Sequence, residues 1–300
     1  FAQWMANDCT VCTTLVDTIV PGRIRDPKEA AAVAERLGYE DPFLAVREPF
    51  QMWGIQGDES LAEKLPFVKA GLPGVFVTPD VTPYKKRKVR ILNGAHTAFV
   101  PGSWVGGFDI VRDCMHDETV RGFMNTMLYD EVIPTLAADL DVEDCKAFAA
   151  AVENRFDNPF IDHALLSICL NSTAKWRARD LPTLKDYVAE TGNLPKCLAT
   201  SLATLIAFYT QELVAREGDG LHLRRADGTE YTAQDDAFVL DFYAAHAGAD
   251  DAELVHDVLS NEQVWGEDLT QIAGLEEFVV NALAVVRAEG AKQAFANAQA

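Results

Sequence analysis

No part of this 300-residue sequence carries GxGxxG, and no strand, glycine loop and helix unit precedes an acidic residue placed to read a ribose. These residues therefore lack the usual cradle for a dinucleotide pyrophosphate. Gly102, Gly106 and Gly107 follow no strand and have the wrong spacing, so they read as close packing and a loop. No apolar run approaches the roughly 20 residues that span a bilayer, and no signal-peptide pattern opens the chain. A soluble cytoplasmic protein without a membrane partner is expected. Cysteines are few and scattered, at 9, 12, 114, 145, 169 and 197, which argues against a disulfide framework. Cys9 and Cys12 form one CxxC with neither a second pair nor nearby histidines, so no metal site is expected there. Positive charge is also scarce. With 26 Lys and Arg against 46 Asp and Glu, the net charge of -20 repels phosphate backbones and disfavours nucleic acid. Phe1 in place of Met suggests a fragment or a processed product.

The hydrophobic content of 49% can bury a sizeable core, in one large domain or two smaller ones. The densest positive run in this acidic chain lies in TPYKKRKVRILNGAHTAFVP, residues 82–101. A Lys-Lys-Arg-Lys run can be a nucleic-acid patch, but here apolar residues follow at once, which favours local attraction of anions or a role in starting a helix. From Lys88 onward the apolar spacing predicts an α-helix, with Asn93 and His96 as i,i+3 neighbours and Lys88 two turns before His96. Like charges and partial burial would lower the Lys88 pKa, making it a usable general acid or base. Asn93 both donates and accepts, and His96 can donate to a carbonyl or alkoxide oxygen. The three suit proton transfer at an alcohol or ketone carbon, although a lone histidine on an apolar helix is also often a core residue.

Around this stretch, residues 1–22 show a helical apolar pattern through Phe1, Trp4, Met5, Cys9 and Cys12. Asp26-Pro27-Lys28-Glu29 opens a helix that stops at Gly38. Strand-like runs follow at 43–46, 51–55 and 74–78. Beyond Asp109 helices dominate, with Asp117 and Asp141 as caps and an apolar helix in 158–182 carrying His163 and Lys175 at its ends. Arg177 and Arg179 follow as candidate carboxylate ligands. A buried helix is expected from 197 to about 212, a hairpin around Asp227-Gly228, and amphipathic helix in the last third.

The segment KVRILNGAHTAFVP resembles the signature of the mannitol dehydrogenase family of polyol-specific long-chain dehydrogenases: a lysine, an asparagine five residues on, and a histidine three further. The resemblance implies that Lys88 is a metal-independent general acid or base and that Asn93 and His96 hold the substrate oxygen, with NAD as cofactor. CTTLVDTIVPG also resembles the family, which places the aspartate at Asp17 near nicotinamide and substrate; Thr18 stands where the family usually has arginine. REPFQMWGIQG resembles a family strand near the active site that carries Glu48 and Gln51. In NPFIDHALLSICLNSTAKWRARDLP, Asp162-His163 replaces the basic residue of mannitol-type members. This resembles the members that act on sugar acids, with Lys175, Arg155 or His163 meeting substrate oxygens. The implied fold is mainly α: a helical C-terminal domain at 81–300, preceded at 1–80 by the α/β tail of an incomplete nucleotide-binding domain. The implied activity is hydride transfer to a small anionic keto sugar acid, and the chain alone is expected to be inactive without an upstream nucleotide-binding half. The rivals are a sister enzyme acting on another hexuronate or on mannitol, and a non-catalytic helical binding module.

Overall fold

In the computed structural model, which describes residues 1–24 and 26–300, the chain divides into two compact units, Phe1–Lys88 and Val89–Ala300. The first is mixed α/β. Its sheet has the order β1 (Thr14–Asp17), β2 (Met52–Gln56), β3 (Val75–Thr78), with β1 antiparallel and β3 parallel to β2. Alternation sets the faces of β1, burying Leu15 and Asp17 and exposing Thr14 and Val16. The helical pattern expected over residues 1–22 survives only in Ala2–Asp8. Cys9 is already extended, because Thr-Leu-Val-Asp alternates and gains a ladder against β2. Asp17 thus sits buried on a strand.

The helix predicted from Asp26 is found at Pro27–Leu37, with Asp26 accepting from the Lys28 N–H and Gly38 left-handed at its end. Residues 43–46 do not form the expected strand. Asp41 accepts from the Phe43 N–H through its carboxylate and from the Leu44 N–H through its carbonyl, so the chain turns there and only Val46 pairs, with Gly22. Glu48 and Gln51 likewise precede β2 instead of standing on it. Glu48 accepts from the Ile19 N–H at 2.6 Å and bonds its own N–H to the Ile19 carbonyl, while Gln51 donates to the Pro73 carbonyl.

The second unit is helical. The Gly94–Val105 and Lys196–Tyr209 helices are apolar on nearly every side and bury all but one residue each, and the Leu275–Glu289 and Ala291–Ala298 helices pack on them. Asp117 and Asp141 cap their helices as expected, accepting from Thr119 and Val120 and from Asp144 respectively. Gly102 is where the core closes tightly. A Cβ there would stand 2.5 Å from the Phe295 ring and 2.9 Å from Thr204 Cβ, and Phe295 is itself stacked on Phe123 at 4.0 Å. Gly102→Ala is therefore expected to cost about 1–3 kcal/mol by overpacking, read as a lower Tm in thermal unfolding.

Further differences from the sequence reading lie in the second unit. The helix beginning near 197 ends at Tyr209, since the alternating ELVARE segment forms β4 (Glu212–Glu217). This strand joins the predicted hairpin, β5 (Gly220–Arg224) and β6 (Glu230–Ala233), in an antiparallel sheet of order β4-β5-β6. The apolar helix expected between His163 and Lys175 is broken into Leu165–Ile168 and Ser172–Arg179. Asn171, at φ 52°, takes the left-handed conformation that ends one turn and starts the next, and Asn tolerates it better than most residues.

Candidate active site

The stretch from Thr82 to Val105 is helical throughout but not uniformly α. Thr82–Arg87 is α, Lys88–Asn93 is a π turn and Gly94–Val105 is α again. The α-helix expected from Lys88 is thus corrected to a π turn, which matters for geometry. At 3.6 residues per turn, residues five apart lie about 140° from one another around an α-helix. The i→i+5 closure of a π turn brings them to adjacent positions. Lys88 opens the turn and Asn93 closes it, both half-buried, and His96 follows Asn93 at the α spacing of three.

His96 is buried, at 7% exposure. Its ring stacks on Phe156, with centroids 4.0 Å apart and planes at 16°, and meets the edge of His163 at 5.5 Å and 89°. Two neighbours thus fix the ring plane, which leaves its nitrogens in defined directions for donating to an oxygen.

His163 is in turn held by its backbone. Its carbonyl accepts from the Val111 N–H at 3.0 Å, and Ile110 bridges Ala164. Arg112 straps the preceding loop, donating to the Pro159 carbonyl at 2.9 Å and to Asp162 Oδ1 at 2.6 Å. Asp162 is therefore the acceptor of an arginine that shapes the loop carrying His163.

The remaining residues singled out from sequence fall in different places. Arg155 is half-buried in the last turn of the Val142–Phe156 helix, next to Phe156. Lys175 Nζ donates to the Ile168 carbonyl at 2.9 Å, and burial, followed by the charge of Arg179, lowers its pKa. Arg177 donates to the Val264 carbonyl, and Arg179 donates to Thr97 Oγ1 at 2.9 Å and the Asn93 carbonyl at 3.5 Å. Both arginines are thus engaged by the protein. Asp17, 2% exposed on β1, belongs to the first unit; there Thr18, in place of the family's arginine, donates to the Phe50 carbonyl at 2.8 Å. The second unit thus brings His96 and His163 together around Phe156. Phe156 and Arg112 escaped the sequence reading, because each acts across 40 or more residues and neither stands in a local motif.

Among the described residues no group of three or more His, Cys, Asp or Glu could hold a metal ion, and no helix is long and apolar enough to cross a membrane. Residues 80–287 match the mannitol dehydrogenase C-terminal domain, and the chain belongs to the mannitol dehydrogenase family. It is 41% identical over 302 residues to an altronate oxidoreductase of Yersinia enterocolitica and 42% identical over 300 residues to one of Escherichia coli. These alignments cover 99% and 98% of this chain but only 59% and 58% of the relatives. Its fold is similar to that of Pseudomonas fluorescens mannitol 2-dehydrogenase, solved as a ternary complex with NAD and D-mannitol. The TM-score is 0.77 at 21% identity, over 98% of this chain and 55% of that one.

Proposed function

We propose that this chain supplies the substrate-binding and catalytic part of an NAD-dependent oxidoreductase that interconverts D-tagaturonate and D-altronate. The observation that carries the reading is the π turn between Lys88 and Asn93. It aligns the lysine with Asn93 and, one α turn on, with a histidine whose ring plane is fixed by Phe156 and His163. The identity of 41% to an altronate oxidoreductase over 99% of the chain supports the choice of substrate.

NAD(H), when bound, supplies or accepts the hydride. The described residues contain no strand, glycine loop and helix unit to cradle its pyrophosphate, so they do not by themselves fit the whole cofactor. The part that these residues perform is at the substrate oxygen. In the reductive direction protonated Lys88 delivers a proton to the keto oxygen as negative charge develops there, while Asn93 and His96 donate hydrogen bonds to the same atom. In the oxidative direction neutral Lys88 removes the alcohol proton. Arg155, His163 and Lys175 are the groups proposed to meet the other substrate oxygens and the carboxylate, and Asp17 is proposed near the nicotinamide end.

The test is NADH oxidation with D-tagaturonate, D-fructuronate and fructose, run side by side on this chain and on the product of the full reading frame that encodes it. Tagaturonate turnover by the full-length product, with fructuronate and fructose much slower, is the expected result. Preference for either of the others would reassign the substrate within the family, and no turnover of any of them would remove the proposal.

A further inference from the structure

A π turn is rarely stable on its own, and nothing in the propensities of KVRILN favours one over an α-helix. Something outside the turn must hold it. Gly94, the residue directly after Asn93, shows what does. A Cβ on Gly94 would stand 2.8 Å from Asp180 Oδ1 and 3.5 Å from the Val89 carbonyl oxygen, so the Asp180 carboxyl rests against bare backbone at the end of the turn.

Asp180 is not there to cap a helix. It stands at the N-cap position of the Leu181–Thr191 helix, yet its side chain makes no capping bond. It is 2% exposed, and Oδ2 makes no hydrogen bond among the described residues. Its charged neighbours are Arg179 and Arg90; burial outweighs their pull and holds the carboxyl well above the usual carboxylate range.

The same segment touches the turn on both sides of Asn93. Arg90, inside the turn, donates to Thr183 Oγ1 and pairs with Asp186 at 3.2 Å, both on the Leu181–Thr191 helix. Arg179 reaches past Gly94 to Thr97 Oγ1 and the Asn93 carbonyl. Contacts at 90, 94 and 97 therefore flank the asparagine. Relaxation of the π turn into α-helix would shift the helix by one residue, a rotation of about 100° at 3.6 residues per turn, and would carry Asn93 off the face it shares with Lys88.

We propose that the Arg179-Asp180 junction is a positioning device for Asn93, with Asp180, seated on Gly94, the positioning residue that keeps the π turn from relaxing into α-helix. The inference deepens the proposed role of Asn93 in holding the substrate oxygen and rests on that reading. It makes Gly94 obligatory for proximity to Asp180 and not for backbone freedom, since Gly94 has no positive φ.

The experiment uses the full-length protein with two readouts, steady-state kinetics with tagaturonate and amide hydrogen exchange of residues 89–97. Gly94→Ala and Asp180→Ala are expected to lower kcat about 100-fold, the usual consequence of an ångström-scale misplacement, with KM little changed and exchange across 89–97 accelerated. Asp180→Asn, which keeps shape and neutrality, should restore most of the lost kcat and the slow exchange. Should Asp180→Ala not fold, Arg179→Lys, which loses the reach to Thr97 and the Asn93 carbonyl, is expected to accelerate the same amides. Unchanged exchange across 89–97 in Gly94→Ala and Arg179→Lys would overturn the proposal, as would full kcat in Gly94→Ala. If the unmutated protein turns over no tagaturonate, the substrate reading fails, while amide exchange still decides whether the junction holds the turn.

Discussion

Lys88→Ala in the full-length protein is expected to reduce turnover of tagaturonate by about 10²- to 10⁴-fold, the span that a positioned general acid or base contributes. The fold should be intact, because Lys88 is half-buried at the start of the π turn and the core of the second unit lies on the residues after it. Lys88→Arg sharpens the experiment. Guanidinium keeps the positive charge but does not give up a proton near neutral pH, so a variant needed only for charge would retain activity and one needed for proton transfer would not. The expected outcome is two inactive enzymes with circular dichroism and Tm close to those of the unmutated protein. A fully active Lys88→Ala enzyme would refute the assignment of the lysine and, with it, the mechanism.

The second large effect is on stability. Glu131→Ala should destabilise the protein by about 3 kcal/mol, because it leaves two buried backbone donors unmet at about 1–3 kcal/mol each. Glu131, 5% exposed, reaches across to the start of the Lys196–Tyr209 helix and accepts from the Cys197 N–H at 2.7 Å and the Leu198 N–H at 2.9 Å. That helix has Pro195 at its N-cap and no side-chain cap of its own, so a carboxyl from a distant helix satisfies its first-turn donors. Burial pushes the Glu131 carboxyl up to about 7 from an ordinary 4.5, against the downward pull of the two N–H bonds. With the folded value raised, the native state keeps this proton over a range in which the unfolded chain has lost it. The contribution to stability is therefore full below about pH 4.5 and falls as pH rises from there toward 7. Glu131→Gln, which does not titrate, should show no such loss. Denaturant titrations at pH 5 and pH 7.5 should find the unmutated protein's advantage over Glu131→Gln narrowing at the higher pH, and a widening gap would contradict this account.

Neither Glu131 nor Asp180 was legible in the sequence, and the reason is the same for both. Each acid sits in an ordinary-looking helical segment, and its importance comes from a backbone that is 66 or 86 residues away along the chain. Pattern reading ranks acids by their local company, so a lone Glu in MLYDEV and an Asp before Leu-Pro pass as surface or cap residues. The same limit explains the broken helix at Asn171. The apolar content of ALLSICL predicts burial correctly, but the left-handed residue that divides it is chosen by what the two halves pack against. The strand β4 was hidden for a similar reason, since ELVARE is stabilised by pairing with β5 more than by its own composition.

Much else was determined by the sequence alone. Capping acids at 26, 117 and 141, the turn at Asp227-Gly228 and the start of the buried helix near 197 each act within a few residues, where short-range sterics and hydrogen bonding dominate. The motif on which the resemblance rests, Lys88, Asn93 and His96, was likewise visible as spacing in one segment. What only the tertiary structure decided is how that spacing is wound. A lysine and an asparagine five residues apart fall on different faces of an α-helix and on adjacent positions of a π turn. Which of the two forms is set by Asp180, Arg179 and Thr183 pressing on the turn from another part of the fold. Helical propensity is local and weak, whereas close packing and buried polar contacts are long-range and strong enough to override it.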